Sequence, residues 1–455
     1  MWTSAAIKAV VDIRARENWS REQILSHQEK SFRQLVSWAW NHSPFYHDYY
    51  QDHGIREAQL VDLTPRDVPM VSKELLMEHF DRISRDPLLS REKLERWIHS
   101  DAPMGRYANK YIVVHTSGTG GTMGIFVHDR IGWSRFRGTT AVRGRMNIRY
   151  NPFRPNRFAF YGATHGRFAG VTSLQTSPRL IVKKLTCSIL DPIDKVVTQL
   201  NAFQPEYLTA YPSALRELAL KALDGVLSIT PHYLLTAGEV LIPPTAEIIN
   251  RAFGKSPVNT YAASESMCIA LQRPDGPGLS LMEDENVVEI LDDHDQPVAP
   301  GEKGRVVLTN LGNRAMPIIR YEMRDIVTRG HRRQDEPFDQ ILAVDGRTND
   351  ALPIRSRSGN VDSIHPGVLA EFFVPGIVKC QFEGVSPDEI TLRYLAPMSL
   401  DQEIEREFQK ILSLKEANPN VQVNITRVTN LSADEKTGKF RLVILRQPGS
   451  SRCFT

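Results

Sequence analysis

The stretch with the most chemistry to offer is His115-Thr116-Ser117-Gly118-Thr119-Gly120-Gly121-Thr122-Met123-Gly124, which directly follows the apolar run Tyr111-Ile112-Val113-Val114. Four glycines and four hydroxyl-bearing residues between a buried strand and a helical segment make a loop rich in backbone and hydroxyl donors. Such a loop can fold around phosphates, because glycine permits unusual dihedrals and close approach of the backbone. A Gly/Ser/Thr loop can equally be an ordinary turn, so the residues that accompany it must decide.

Four further β-prone runs end in the same manner. Phe158-Ala159-Phe160-Tyr161 ends at Gly162-Ala163-Thr164-His165-Gly166, and Tyr207-Leu208-Thr209-Ala210-Tyr211 ends at Pro212-Ser213. Tyr233-Leu234-Leu235-Thr236 ends at Ala237-Gly238-Glu239, and Val258-Asn259-Thr260-Tyr261 ends at Ala262-Ala263-Ser264-Glu265. Each then gives way to helical spacing, which argues for an α/β protein with a mainly parallel sheet. In such sheets ligands sit at the carboxyl ends of the strands, where these polar residues gather. The plainer reading is a set of strand-to-helix turns with N-caps, Ser213 among them. Five in succession, with a glycine-rich loop and a terminal glutamate, favour one shared site.

These strand ends need elements to hold them. Residues 1 to about 60 read as helical, interrupted at Asn41-His42-Ser43-Pro44-Phe45-Tyr46, because the residue before proline is pushed out of helical space. From about 280 to 330 the strands Asn286 to Leu291 and Gly304 to Thr309, then Ile318 to Tyr321 and Asp325 to Val327, read as a small antiparallel sheet or barrel. The turn at Asp345-Gly346-Arg347-Thr348-Asn349-Asp350 marks a boundary, giving units of 1–345 and 346–455. The second reads as a compact α+β tail of strands around 376–382, 389–394, 421–428 and 440–445, with a charged helix over 401–415. A large body with a small mobile tail suits closure over a substrate.

Composition narrows the class. The 455 residues, 41% hydrophobic and 24% charged, with a net charge of +3, are those of an ordinary globular protein. Nothing calls for nucleic acid or an anionic membrane, and no apolar run approaches the roughly 18 residues of a membrane span. Cys187, Cys268, Cys380 and Cys453 form no CxxC pair, so reduced thiols in a cytoplasmic protein are expected, with no zinc site. The arginines from 130 to 157 are expected on solvated helix faces, with an approach for acidic phosphates or a carrier protein as the minor alternative.

The order of these motifs resembles the adenylate-forming superfamily of acyl-CoA synthetases, luciferases and peptide-synthetase adenylation domains. Thr116 to Gly121 resembles its phosphate loop. Gly238-Glu239 and Tyr261-Ala262-Ala263-Ser264-Glu265 resemble its next nucleotide motifs, and Arg320-Tyr321-Glu322-Met323-Arg324-Asp325 its ribose motif. Gly346 to Asp350 looks like the hinge motif, near Asn349, and Lys436-Thr437-Gly438-Lys439 like the C-terminal lysine motif. Ser43-Pro44-Phe45-Tyr46, Tyr211-Pro212-Ser213 and Met316 to Tyr321 look most like the phenylacetate-CoA ligase and capsule-biosynthesis branch.

The resemblance implies a two-step enzyme. A carboxylic acid, aryl or arylacetic in this branch, is activated by ATP with Mg²⁺ as an acyl-adenylate. Coenzyme A, or the phosphopantetheine of a carrier protein, then displaces AMP. It implies that Thr116, Ser117, Gly118, Thr119, Gly120 and Gly121 hold the phosphates and Glu265 ligates Mg²⁺. Tyr261, Ala262, Ser264, Gly238 and Glu239 surround the base, Asp325 binds the ribose, and Arg347 assists. Lys439 supplies the cation of adenylation, and Tyr161, Gly162, His165 and Tyr211 lie by the acyl group. Partners within this reading are a small acid, a carrier protein as alternative acceptor, and a homodimer.

The sequence also departs from the pattern. Thr122-Met123-Gly124 stand where the loop usually carries a lysine, Arg324 replaces the glycine before the aspartate, and Asn349 occupies the hinge position. A free-standing adenylation enzyme serving a carrier or an amine, and an inactive nucleotide-binding homologue, are the rival readings. A P-loop kinase is disfavoured because Gly-Lys-Ser/Thr is absent from the loop.

Overall fold

The computed structural model describes residues 2–445 apart from 117–122, 149–152, 165, 179, 190, 192, 274–275, 277, 348–351, 360, 365–368, 370–371, 373 and 432–440. Contacts divide the chain into two units, Met1–Met323 with Val327–Val344, and Asp345–Thr455 with the short piece Arg324–Ile326.

The first unit opens with helices α1 (Trp2–Ala15), α2 (Arg21–His42) and α3 (Pro44–Asp52), followed by α4 (Lys73–Glu78), α5 (Phe80–Ile83) and α6 (Arg91–Ile98). Ser20 and Gln23 form a reciprocal capping box at the start of α2. At the expected break, Ser43 ends α2 and caps α3 by accepting from the Tyr46 amide, with Pro44 at the first helical position, where its missing N–H costs nothing.

Next come β1 (Ile112–His115), β2 (Ile125–His128), α7 (Arg130–Arg143), β3 (Asn156–Gly162), α8 (Ala169–Gln175), β4 (Val182–Ser188), α9 (Ile193–Phe203), β5 (Tyr207–Ala210), α10 (Pro212–Leu223), β6 (Tyr233–Ala237), α11 (Pro243–Phe253) and β7 (Val258–Tyr261). Then follow β8 (Ala270–Gln272), β9 (Leu279–Leu281), β10 (Asn286–Leu291), β11 (Lys303–Asn310), β12 (Tyr321–Arg329) and β13 (Gln340–Arg347). An 11-stranded sheet runs in the order β10-β11-β12-β13-β9-β8-β7-β6-β5-β3-β4. The neighbours β4, β3, β5, β6 and β7 are parallel, and the strand-helix alternation foreseen from the sequence is what builds them.

Two details differ from expectation. β1 does not join the parallel series but pairs antiparallel with β2, Val113 opposite Val127. A four-residue apolar run does not encode the direction of its partner, and the strand just beyond the loop reaches it without a crossover. The antiparallel strands of the second half do not stand apart as a barrel; they continue the same sheet from β7 through β8 and β9 to β13.

The arginines of α7 are also a correction. Arg143 is wholly buried and donates to both oxygens of the equally buried Asp284, at 2.5 and 2.6 Å. Arg135 pairs with Glu285, and Arg16, directly after α1, reaches Asp284 and Glu285 at 2.8 Å each. Arg137 donates to the Ser173 and Thr176 carbonyls at the end of α8, whose unsatisfied C-terminal acceptors favour a cation. Helical spacing alone does not reveal that this face meets an acidic turn more than a hundred residues later.

The second unit carries β14 (Leu352–Arg355), β15 (Val361–Ile364), β16 (Lys379–Ser386), β17 (Glu389–Leu395), α12 (Asp401–Leu414), β18 (Gln422–Arg427) and β19 (Val443–Leu445). Its four-stranded sheet has the order β18-β17-β16-β19. The core is its own: Phe382 and Phe408 are fully buried, their ring centroids 5.4 Å apart.

Candidate active site

The carboxyl ends of β3, β5, β6 and β7 stand side by side, with Tyr161 in register with Ala210, Ala210 with Thr236, and Ala237 with Thr260. This row brings Gly162, Tyr211, Gly238 and the end of β7 at Tyr261 to one edge of the sheet. Gly238 has φ +86, a left-handed conformation that favours glycine directly after β6. The adjacent Glu239 accepts the Ser213 amide at 3.0 Å and so satisfies a donor at the start of α10. Ser213 is therefore not the cap that its residue type suggests; Tyr211 is the N-cap residue and Ser213 lies inside the helix.

At the end of β3, Gly162 faces Phe160 and Tyr211: a Cβ there would lie 2.6 Å from the Phe160 ring and 3.3 Å from Tyr211. Gly170 on α8 meets the same Phe160 ring, at 2.7 Å from an added Cβ. The Phe160 and Tyr211 rings meet edge to face with centroids 6.2 Å apart. Burial pushes the Tyr211 hydroxyl well above its ordinary pKa. Tyr161 is turned elsewhere, because alternate residues of a strand face opposite sides; its hydroxyl donates to Glu217 on α10 at 3.0 Å. Phe160, one residue away, was not singled out from the sequence. His165 lies outside the described residues.

The mouth of the glycine-rich loop is well defined on both sides. The Thr116 amide donates to the Gly124 carbonyl at 2.8 Å, and the Gly124 amide to Thr116 Oγ1 at 2.9 Å. Lys73, the first residue of α4, donates from Nζ to the same hydroxyl at 3.3 Å. A Cβ on Gly124 would be 3.0 Å from Lys73 Cε and 2.8 Å from the Phe126 ring, so glycine is what lets these groups close together. Thus a cation stands at the loop although the loop's own lysine is missing. The only local hint is electrostatic: lysine at the first position of a helix faces the positive end of its dipole. Ser117, Gly118, Thr119, Gly120 and Gly121 lie outside the described residues.

Glu265 follows β7 and is buried, its carboxylate accepting from Tyr321 Oη at 3.2 Å. Asn310 Nδ2 donates to the Glu265 carbonyl at 3.0 Å, and His128 Nε2 donates to the Ser264 carbonyl at 2.9 Å. Burial lowers the His128 pKa to about 4, against the smaller opposing effect of that hydrogen bond, so the imidazole is neutral at pH 7. Tyr261 is buried and Ala262 half-buried beside this segment. Asp325 is a buried residue of β12 and Arg347 ends β13. Lys439 and the expected hinge at Asn349 lie outside the described residues.

A buried carboxylate suits a hard cation shared with other oxygens. Among the described residues there is no group of three or more His, Cys, Asp and Glu that could enclose a metal by itself. Cys268, close to Glu265 in sequence, is a buried thiol pushed up to about 12 by burial.

The architecture is the fold of the adenylate-forming acyl-CoA ligases. A 2-hydroxyisobutyryl-CoA ligase solved after adenylation, with an acyl-AMP bound, superposes with a TM-score of 0.72 over 95% of this chain and 91% of its own, at 19% identity. In sequence the chain is a relative of the phenylacetate-CoA ligases and of CapK. It is 25% identical over 370 residues to phenylacetate-coenzyme A ligase of Aromatoleum evansii, covering 76% of this chain and 75% of that one. It is 21% identical over 383 residues to protein CapK of Staphylococcus aureus, covering 78% and 74%. With the Escherichia coli phenylacetate-coenzyme A ligase the identity is 32% over 206 residues, covering 43% and 44%. No family model matches the chain. No helix among the described residues is long and apolar enough to cross a membrane.

Proposed function

We propose that this protein activates a carboxylic acid with ATP and Mg²⁺ as an acyl-adenylate and then transfers the acyl group to coenzyme A. The observation that carries the reading is the joint placement of the Thr116–Gly124 loop mouth, the Lys73 ammonium and the buried Glu265 carboxylate in a chain related over three quarters of its length to phenylacetate-CoA ligases. A carboxylate oxygen attacks the α-phosphorus, the bond to the bridging oxygen breaks, and pyrophosphate leaves. The coenzyme A thiolate then attacks the acyl carbonyl and AMP leaves. Little of this needs covalent help, so the protein's share is position and charge.

In this reading Thr116 and the donors of Ser117 to Gly121 hold the β- and γ-phosphates, and Lys73 adds the positive charge that Thr122-Met123-Gly124 lacks. Glu265 is the protein ligand for Mg²⁺, which when bound neutralises the phosphates. Tyr261, Ala262, Ser264, Gly238 and Glu239 lie around the adenine, Asp325 accepts from the ribose hydroxyls, and Arg347 assists. Lys439 brings the cation that meets the reacting carboxylate. On the acid side Gly162, His165 and Tyr211 are joined by Phe160, whose aromatic face suits an aryl or arylacetic acid; Tyr161 braces α10 from the other side of the strand.

ATP–pyrophosphate exchange with phenylacetate and a panel of aryl acids, followed by mass spectrometry after adding coenzyme A, tests the reading. Exchange and acyl-CoA are expected, with exchange abolished by Lys439→Ala. Exchange without acyl-CoA would move the acceptor to a carrier protein or an amine. No exchange with any acid would leave only the inactive nucleotide-binding homologue.

A further inference from the structure

Glu265 is held at its backbone and at its side chain. Its own carbonyl is fixed by Asn310 and the preceding carbonyl by His128. The Tyr321 hydroxyl, on a ring 2% exposed, selects an orientation by donating to Oε1 at 3.2 Å. That ring stands perpendicular to Phe126 at 6.2 Å, and Phe126 closes against Gly124, beside Thr116 and Lys73. Tyr321 therefore spans the space between the carboxylate and the loop mouth.

Tyr321 is itself aimed by a strained neighbour. Arg320 has φ +45, a left-handed conformation that strains a non-glycine residue and persists only when its surroundings over-determine it. Here they do. The Arg320 amide donates to Thr309 Oγ1 at 2.9 Å, and its guanidinium donates to Glu289 at 3.3 and 3.4 Å and to the Arg66 and Val68 carbonyls at 3.2 and 2.8 Å. Its carbonyl accepts from the Val71 amide at 2.9 Å, and the Glu322 amide returns a bond to Val71 at 3.0 Å. The same clamp thus sets the direction of Tyr321 and the segment that leads, two residues on, to Lys73.

We propose that Tyr321 is a positioning residue for the metal-binding carboxylate, its hydroxyl holding Glu265 in one orientation for the cation that accompanies ATP. The inference rests on the reading of Glu265 as the Mg²⁺ ligand. Groups that orient a metal ligand by hydrogen bonding are worth tenfold to hundredfold in metal affinity. Removing the hydroxyl takes away that orienting bond and leaves the ring packing intact.

The test uses the full chain with a non-hydrolysable ATP analogue, reading bound Mn²⁺ by electron paramagnetic resonance. Tyr321→Phe is expected to weaken Mn²⁺ binding by about 10- to 100-fold, while binding of the analogue in the presence of a chelator is unchanged. A merely structural role would move both. Wild-type Mn²⁺ affinity in Tyr321→Phe, alongside a loss in Glu265→Gln, overturns the role of Tyr321 and leaves Glu265 as ligand. Wild-type affinity in both variants overturns the ligand reading and the inference with it. Should Tyr321→Phe not fold, 3,5-difluorotyrosine at position 321 keeps the ring and acidifies the hydroxyl. An unchanged Mn²⁺ affinity there overturns the proposal as well.

Discussion

Lys73 is the residue whose place changes the picture most. A lysine within the loop would be placed by its own short segment of chain; Lys73 arrives from α4 and meets the loop at Thr116 Oγ1. Hydrogen bonds to charged groups contribute about 1.5–3 kcal/mol. Lys73→Met should therefore raise the half-saturating ATP concentration in pyrophosphate exchange by about 10- to 100-fold. Thioester formation from added acyl-adenylate, which carries no β- or γ-phosphate, should proceed at the wild-type rate. Equal loss in both half-reactions would show that Lys73 supports the fold and not the phosphates. Glu265, Gly238 and Tyr211 stand out in the sequence because each lies just after a strand. Lys73 does not, since no local pattern marks it until the chain has folded, and Phe160 shows in the sequence only as part of its strand.

At the scale of elements, the acidic turn Glu283-Asp284-Glu285 ties the N-terminal helices to the sheet. Burial acts to raise the Asp284 carboxyl, but guanidiniums, Arg143 foremost, hold it below its ordinary value of 3.8. A carboxyl depressed on folding contributes stability that is complete above that value and is lost as the pH falls below it. Removing one partner of a buried pair costs about 3–5 kcal/mol, because a charge is left uncompensated. Arg16 remains on Asp284 at 2.8 Å, so Arg143→Met should fall near the lower end. The melting temperatures of wild type and Arg143→Met should differ clearly at pH 7 and converge as the pH drops below about 4. A gap that persists there would assign the loss to packing against Phe338, whose ring lies 4.6 Å from the guanidinium.

At the scale of the whole molecule, the two units have separate cores. Phe408 of α12 is fully buried between Phe372 and Phe382. Truncating a buried phenylalanine costs about 3–5 kcal/mol. Calorimetry of Phe408→Ala should show one transition lowered by ~12 °C or more for a unit of this size, with the transition of the larger unit in place. A single transition shifted as a whole would mean that the units unfold together.

What the sequence determined by itself was the class of fold and the gathering of polar strand ends along one edge of the sheet. Strand runs that alternate with helical spacing and end in glycine, tyrosine and glutamate are local patterns, and a parallel sheet gathers such ends at one edge whatever the details. Tertiary structure decided which groups face one another. β1 found an antiparallel partner just beyond its loop, Tyr161 turned to α10 while Gly162 turned to Phe160, and the arginines of α7 met an acidic turn. Tyr321 reached Glu265, and Lys73 reached Thr116. Each of these contacts depends on which strand pairs with which, on which face of a strand a residue takes, or on residues far apart in the chain. Residue type and spacing therefore do not encode them until burial and register have chosen a single packing.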